Sequence, residues 1–133
     1  MSFKKRRGDR DGAFSGNTAS RAIIDIGSNT VRMVVYGGAM RAPTVLLNEK
    51  VTARLGRDIA KTGKLADEAI DLAMRGLRRF ILLIEDLEVA DVETVATAAV
   101  RAAKHGPEYV ASLRELGLDP RILSGEEEAI LSA

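Results

Sequence analysis

Between Ala22 and Val35 the chain reads AIIDIGSNTVRMVV, and no other stretch narrows the fold as much. Two apolar runs rich in β-branched residues flank a tight polar turn, Gly27-Ser28-Asn29-Thr30. The runs predict strands, and the turn predicts a hairpin between them. One carboxylate, Asp25, interrupts the first run. Turn N–H groups and hydroxyls converging on one small space can hold a phosphate, and a carboxylate beside them can hold a metal ion or orient a water. The plainer reading is an Asp that caps its own turn.

The rest of the chain extends this start into a mixed sheet. Ala22–Ile26, Val31–Tyr36 and Thr44–Leu47, reaching as far as Val51, predict three strands in an antiparallel meander. Gly56 to Gly63 reads as a loop. Ala66 to Leu87 predicts a long helix, because Ile70, Met74, Leu77, Ile81 and Ile84 recur at helical spacing. Val92–Ala96 is a fourth strand, Pro107 to Leu116 a helix closed by Gly117, and Arg121–Leu123 a fifth strand. Ser124-Gly-Glu-Glu127 has the form of a capping box, with Ser124 as N-cap and a last helix starting at Gly125. The order β-β-β-α-β-α-β-α predicts an α/β fold, a mixed five-stranded sheet with helices on its faces. It is the order of a ribonuclease H-like half-domain.

Composition removes several function classes. The 133 residues suit one domain with a real core. Cysteine is absent, which excludes disulfides, thiolate metal sites and a Cys nucleophile, and suits a reducing cytoplasm. The single His105 sits in a Lys-His-Gly-Pro turn, so a Ser-His-Asp triad has no support. The longest apolar run, Phe80 to Ile84, is far too short to cross a bilayer, and the N-terminus does not read as a signal peptide. Residues 1–20 read as a disordered tail. Residues 1–21 carry six Lys/Arg against two Asp, leaving 14 basic and 17 acidic residues in the remainder. The tail reads as solubilising; its alternative is contact with polyanions, with no specific nucleic-acid signature.

Three further clusters could carry chemistry. Thr97 to Arg101 directly follows a strand, where sites in parallel sheets gather, and the Arg101 guanidinium suits phosphate. A solvated surface Arg is the equal alternative. Glu126, Glu127 and Glu128 open the last helix, where carboxylates favour the helix dipole and commonly form a solvated face. Glu127 is taken by the capping box, which leaves Glu128 able to orient a water for attack on phosphorus. Arg32 follows the hairpin turn and faces either a cleft or solvent.

Taken in order, Asp25-Ile-Gly-Ser-Asn-Thr30, Arg54-Leu-Gly56, Thr62-Gly-Lys-Leu65 with Glu68-Ala-Ile70, Thr97-Ala-Ala-Val-Arg101 and Ser124-Gly-Glu-Glu-Glu-Ala129 resemble the exopolyphosphatase/guanosine pentaphosphate phosphohydrolase family of the actin-like ATPase superfamily. The resemblance covers about Ala22 to Ala133. It implies that Gly27, Ser28, Asn29 and Thr30 form a phosphate loop, that Asp25 lies near a catalytic metal, that Arg101 contacts phosphate, and that Glu128 is the general base. It implies Mg²⁺ as cofactor, with K⁺ stimulation possible, release of terminal phosphate from polyphosphate or guanosine pentaphosphate, and homodimers of the full-length protein. Two departures stand out. Ala66 occupies a position where Ser often caps the long helix. The family's second phosphate loop and second lobe lie downstream of the Glu-Glu-Ala motif, so residues 21–133 correspond to an N-terminal lobe, expected to turn over little by itself. Two other classes remain open on sequence: a non-catalytic polyphosphate-binding or dimerisation module, and an ATP-binding lobe of an actin-like or sugar-kinase-like protein.

Overall fold

In the computed structural model, which describes residues 20–38, 42–56, 59–63, 65–97, 100, 103–124, 126–127 and 130, the predicted strands assemble into one five-stranded sheet in the order β3-β2-β1-β4-β5. The strands are β1 (Arg21–Ile26), β2 (Thr30–Gly37), β3 (Thr44–Thr52), β4 (Asp91–Thr97) and β5 (Pro120–Leu123). The first three form the antiparallel meander, while β4 lies parallel to β1 and β5 parallel to β4. β1 is therefore the seam between an antiparallel half and a parallel half. Both long crossovers in the parallel half carry helices, as parallel pairing requires.

Side-chain alternation decides which face is covered. Ala22, Ile24 and Ile26 pair with Val35, Met33 and Val31, and all six are fully buried. Against this face pack α2 (Asp67–Asp86) and α3 (Gly106–Glu115), which share one apolar cluster with it through Leu77, Phe80, Ile84, Tyr109 and Leu113. The predicted stripe of the long helix is the buried one, with Ala73 and Phe80 added. The helix meets β3 at Gly76. A Cβ there would stand 2.6 Å from Val51 Cγ2, so the absence of a side chain sets this contact distance.

Helix ends follow their local chemistry. Ala66 occupies the N-cap of α2 in extended conformation with no side-chain cap, as its sequence suggests, and Asp67 and Glu68 in the first turn favour the dipole. Both long helices end in Schellman motifs. After α3, Gly117 (φ 92°) donates to Arg114 C=O and Leu118 to Leu113 C=O. After α2 the same two bonds run from Glu88 to Glu85 and from Val89 to Ile84, but the left-handed position is held by Glu88 at φ 52°. An L-residue with a Cβ is strained in that conformation. Glu88→Gly is expected to stabilise the chain by about 0.5–1 kcal/mol in urea denaturation, the usual difference for glycine at such a site. Unchanged or lower stability would show that Glu88 compensates its strain through its side chain.

One expectation is corrected. Within Gly56 to Gly63, read as a loop, Ile59–Thr62 form a single helical turn, α1. The outer edge also departs from regularity. The β2–β3 register shifts between Val35 and Tyr36, whose partners are Leu47 and Val45, so Leu46 is an extra residue in β3. Val45 and Leu46 are 55% and 56% exposed there. The helix predicted from Gly125 is described at residues 126–127 and 130, all helical.

Candidate functional site

The carboxyl ends of β1, β4 and β5 point to one end of the sheet, where sites gather in parallel α/β folds. At this end the β1–β2 turn is closed by Gly27 N–H donating to Thr30 C=O at 3.0 Å. A second loop buttresses it. Arg54 N–H donates to Asn29 C=O at 2.8 Å and Gly56 N–H to Ser28 C=O at 2.6 Å. The turn's carbonyls are thus occupied from behind. Among the described residues, the N–H groups of Ser28 and Asn29 meet no acceptor, and both residues are exposed. Close approach depends on Gly56, where a Cβ would stand 3.0 Å from Ser28 Cβ. Arg54 adopts φ 55° to turn its amide inward. The Arg54-Leu-Gly56 motif is therefore the brace of the turn.

Asp25 lies on the face of the sheet opposite α2 and α3. Successive register partners across that face are Lys50 on β3, Arg32 on β2, Asp25 on β1, Val95 on β4 and Arg121 on β5. Arg32, left by the sequence between cleft and solvent, stands directly across from Asp25. Asp25 is solvent-exposed overall, yet partial burial of its carboxyl lifts its pKa above the usual carboxylate value, against the opposing charge of Arg32. Among the described residues, no group of three His, Asp or Glu converges on a point. Mg²⁺ keeps several waters and uses only one or two carboxylates beside its phosphate ligands, so Asp25 alone fits such a donor set.

The capping box is present in full. Ser124 N–H donates to Glu127 Oε1 at 3.1 Å, and Glu127 N–H donates to Ser124 Oγ at 3.2 Å. The other carboxylate oxygen of Glu127 accepts from Arg121 Nη1 at 2.7 Å. These bonds hold its pKa below the ordinary 4.5, the Ser124 amide contributing most. A carboxylate with a depressed folded-state pKa stabilises the fold above its unfolded value, and that contribution disappears as pH falls through the folded value. Amide exchange at Ser124 and Glu127 is therefore expected to stay slow at neutral pH and to accelerate selectively as pH drops below about 4.5. Exchange that is insensitive to pH there, once corrected for intrinsic rates, would remove Glu127 from this role. Glu128 and Arg101 lie outside the described residues. Val100 N–H donates to Thr97 Oγ1 at 3.4 Å, which starts the segment leading to Arg101.

A sequence model of the Ppx/GppA phosphatase family matches residues 33–133. The chain belongs to that family. Solved Ppx/GppA relatives agree with this assignment in fold. An Aquifex aeolicus member of the Ppx/GppA family superposes with a TM-score of 0.78 at 31% identity, over 83% of this chain and 36% of that one. An exopolyphosphatase-like protein gives 0.77 at 31% identity, over 86% and 36%. An exopolyphosphatase from Cytophaga hutchinsonii gives 0.76 at 27% identity, over 84% and 36%. The chain thus spans about a third of the length of these Ppx/GppA proteins. No helix among the described residues is long and apolar enough to cross a membrane.

Sequence reasoning left Arg32 undecided and gave Arg121 no part beyond opening the fifth strand. The place of Arg121 in the row of Asp25 arises from strand register, which brings together residues far apart in the chain, whereas its bond to Glu127 joins residues six apart. Arg32 alone had a local signal, its position just after the turn.

Proposed function

We propose that this lobe forms one wall of a phosphohydrolase site that removes the terminal phosphate from a phosphoanhydride chain, inorganic polyphosphate or guanosine pentaphosphate. The observation that carries the reading is the braced turn at the carboxyl end of β1: among the described residues the N–H groups of Ser28 and Asn29 meet no acceptor, and the two residues follow Asp25, whose cross-strand partner is Arg32, by three and four positions. Family membership supports it, and two of the structural relatives are described as an exopolyphosphatase and an exopolyphosphatase-like protein. Phosphoryl transfer needs positioning and charge neutralisation more than covalent help. Gly27 to Thr30 bind the reacting phosphate, Arg101 adds charge, and Glu128 takes a proton from the attacking water. Asp25 would hold Mg²⁺, which when bound neutralises charge developing on the phosphate oxygens.

The test has a binding arm and a turnover arm. Tripolyphosphate with Mg²⁺, titrated into the isotopically labelled chain, is expected to shift the amide resonances of Ser28, Asn29 and Thr30 before any others. Asp25→Asn is expected to weaken the Mg²⁺-dependent part selectively. The native protein that carries this chain is expected to release phosphate from polyphosphate or guanosine pentaphosphate, and comparing the two identifies the substrate. Shifts confined to residues remote from the turn, or release of phosphate that ignores Mg²⁺, would sink the reading. So would micromolar binding of ATP without phosphate release.

A further inference from the structure

The brace behind the β1–β2 turn acts on two particular peptide planes. Ser28 C=O and Asn29 N–H belong to one peptide unit, and Asn29 C=O belongs to the next. Peptide bonds among the described residues are trans, so each N–H points away from the carbonyl of its own unit. Gly56 N–H holds Ser28 C=O at 2.6 Å, which aims Asn29 N–H to the opposite side, away from the brace. Arg54 N–H holds Asn29 C=O at 2.8 Å and fixes the plane that follows. The φ and ψ of Asn29 are the rotations between these two planes, so its backbone is set from both sides.

The brace is anchored in the core. Ala53 and Leu55 alternate with the two donors and are buried in the main apolar cluster. Further along the same connection, Gly63 C=O accepts from Lys104 N–H at 2.8 Å, and Leu65 is buried again. A hydrogen bond accepted at its carbonyl also polarises a peptide unit and strengthens the N–H at its other end. Asn29 N–H is therefore oriented and polarised before an anion arrives, and binding need not order it.

Space selects glycine at position 56. Its backbone lies outside the left-handed region, so conformation alone does not demand it. A Cβ there would stand 3.0 Å from Ser28 Cβ and 3.4 Å from the Ser28 carbonyl oxygen, the acceptor of its own N–H. A side chain at 56 thus presses on the residue whose carbonyl opens the plane of Asn29 N–H.

We propose that Gly56 is a positioning residue whose backbone amide, with that of Arg54 fixing the following plane, aims Asn29 N–H at an oxygen of the bound phosphate. This rests on the reading of the turn as a phosphate site.

The test is binding of tripolyphosphate with Mg²⁺ to the native protein that carries this chain, with thermal unfolding of every variant. If tripolyphosphate leaves the amides of Ser28, Asn29 and Thr30 unshifted in the unsubstituted protein, the phosphate reading fails and the proposal falls with it. If they shift, the variants decide. Gly56→Ala is expected to raise Kd about tenfold, the scale of one charge-assisted hydrogen bond. In a Ser28→Gly background, where the opposing Cβ is gone, the same change is expected to raise Kd less than twofold. Residue-resolved amide exchange in the unsubstituted protein carries the test should Gly56→Ala fail to fold. The Gly56 and Arg54 amides are expected to be protected with or without tripolyphosphate, and the Asn29 amide only with it. No loss of affinity in Gly56→Ala, an equal loss in both backgrounds, or a loss matched by the unfolded fraction would overturn the proposal. So would brace amides that exchange freely, or an Asn29 amide protected before the anion is added.

Discussion

Glu128→Gln is expected to reduce phosphate release by the native protein 10²- to 10⁴-fold, the range for loss of a general base, while leaving the fold unchanged. The prediction is sharp because of what its neighbour does. Glu127 has both oxygens engaged, by Ser124 N–H and by Arg121, so the cap and the ion pair survive the change at Glu128. Glutamine keeps the length and helix propensity of glutamate and loses only the ability to accept a proton at the reaction pH. The reciprocal change separates the roles further. Glu127→Ala removes the N3 half of the capping box and should register in stability before it registers in chemistry. Measured stability and kcat for the two single variants therefore move on different axes. A drop in stability for Glu128→Gln equal to that of Glu127→Ala would contradict the division, as would full activity in Glu128→Gln.

The second large effect lies in the core. Gly76→Ala is expected to destabilise the chain by about 1–2 kcal/mol, although alanine is the better helix former. The methyl would stand 2.6 Å from Val51 Cγ2 and 3.2 Å from Val51 Cβ. Overpacking of this kind costs about 1–3 kcal/mol, against which helix propensity returns up to about 1 kcal/mol. Val51 is β-branched and sits in the sheet, so it has few rotamers with which to retreat. Val51→Ala removes the obstructing methyls and opens room for the new one. In a double-mutant cycle by urea denaturation, the pair should couple favourably by 1 kcal/mol or more, Gly76→Ala becoming neutral or stabilising in the Val51→Ala background. Additive costs would mean that α2 shifts away from β3 as a body and that the tight contact is not specific.

Much of the fold is legible along the chain because its signals are local. Alternating β-branched residues mark β1 and β2, the stripe from Ile70 to Ile84 marks α2, and Gly117 marks the end of α3. The Ser124–Glu127 cap is legible because its two partners are three residues apart. What could not be read has equally definite causes. Four residues of α1 are too few to show a period. The C-terminus of α2 hides its left-handed residue behind a glutamate, where a sequence rule looks for glycine. Arg54 conceals a backbone brace behind a charged side chain. The ion pair of Arg21 and Glu93 spans 72 positions, and nothing in either neighbourhood announces the other. Of the site, the turn was visible as a motif; that Arg54-Leu-Gly56 braces it, and the cations around Asp25, required the fold.

The irregularity of β3 bears on how the molecule ends rather than on what it binds. A nine-residue outer strand with exposed Val45 and Leu46 would ordinarily invite another chain to lengthen the sheet. Here the extra residue at Leu46 breaks the spacing of the free edge, Pro43 withholds an amide just before the strand, and Lys50 places a charge along it. An incoming strand could match one side of the bulge or the other, not both. The bulge, the proline and the charge all work against this apolar edge acting as a template for self-assembly, where no other described strand pairs with it.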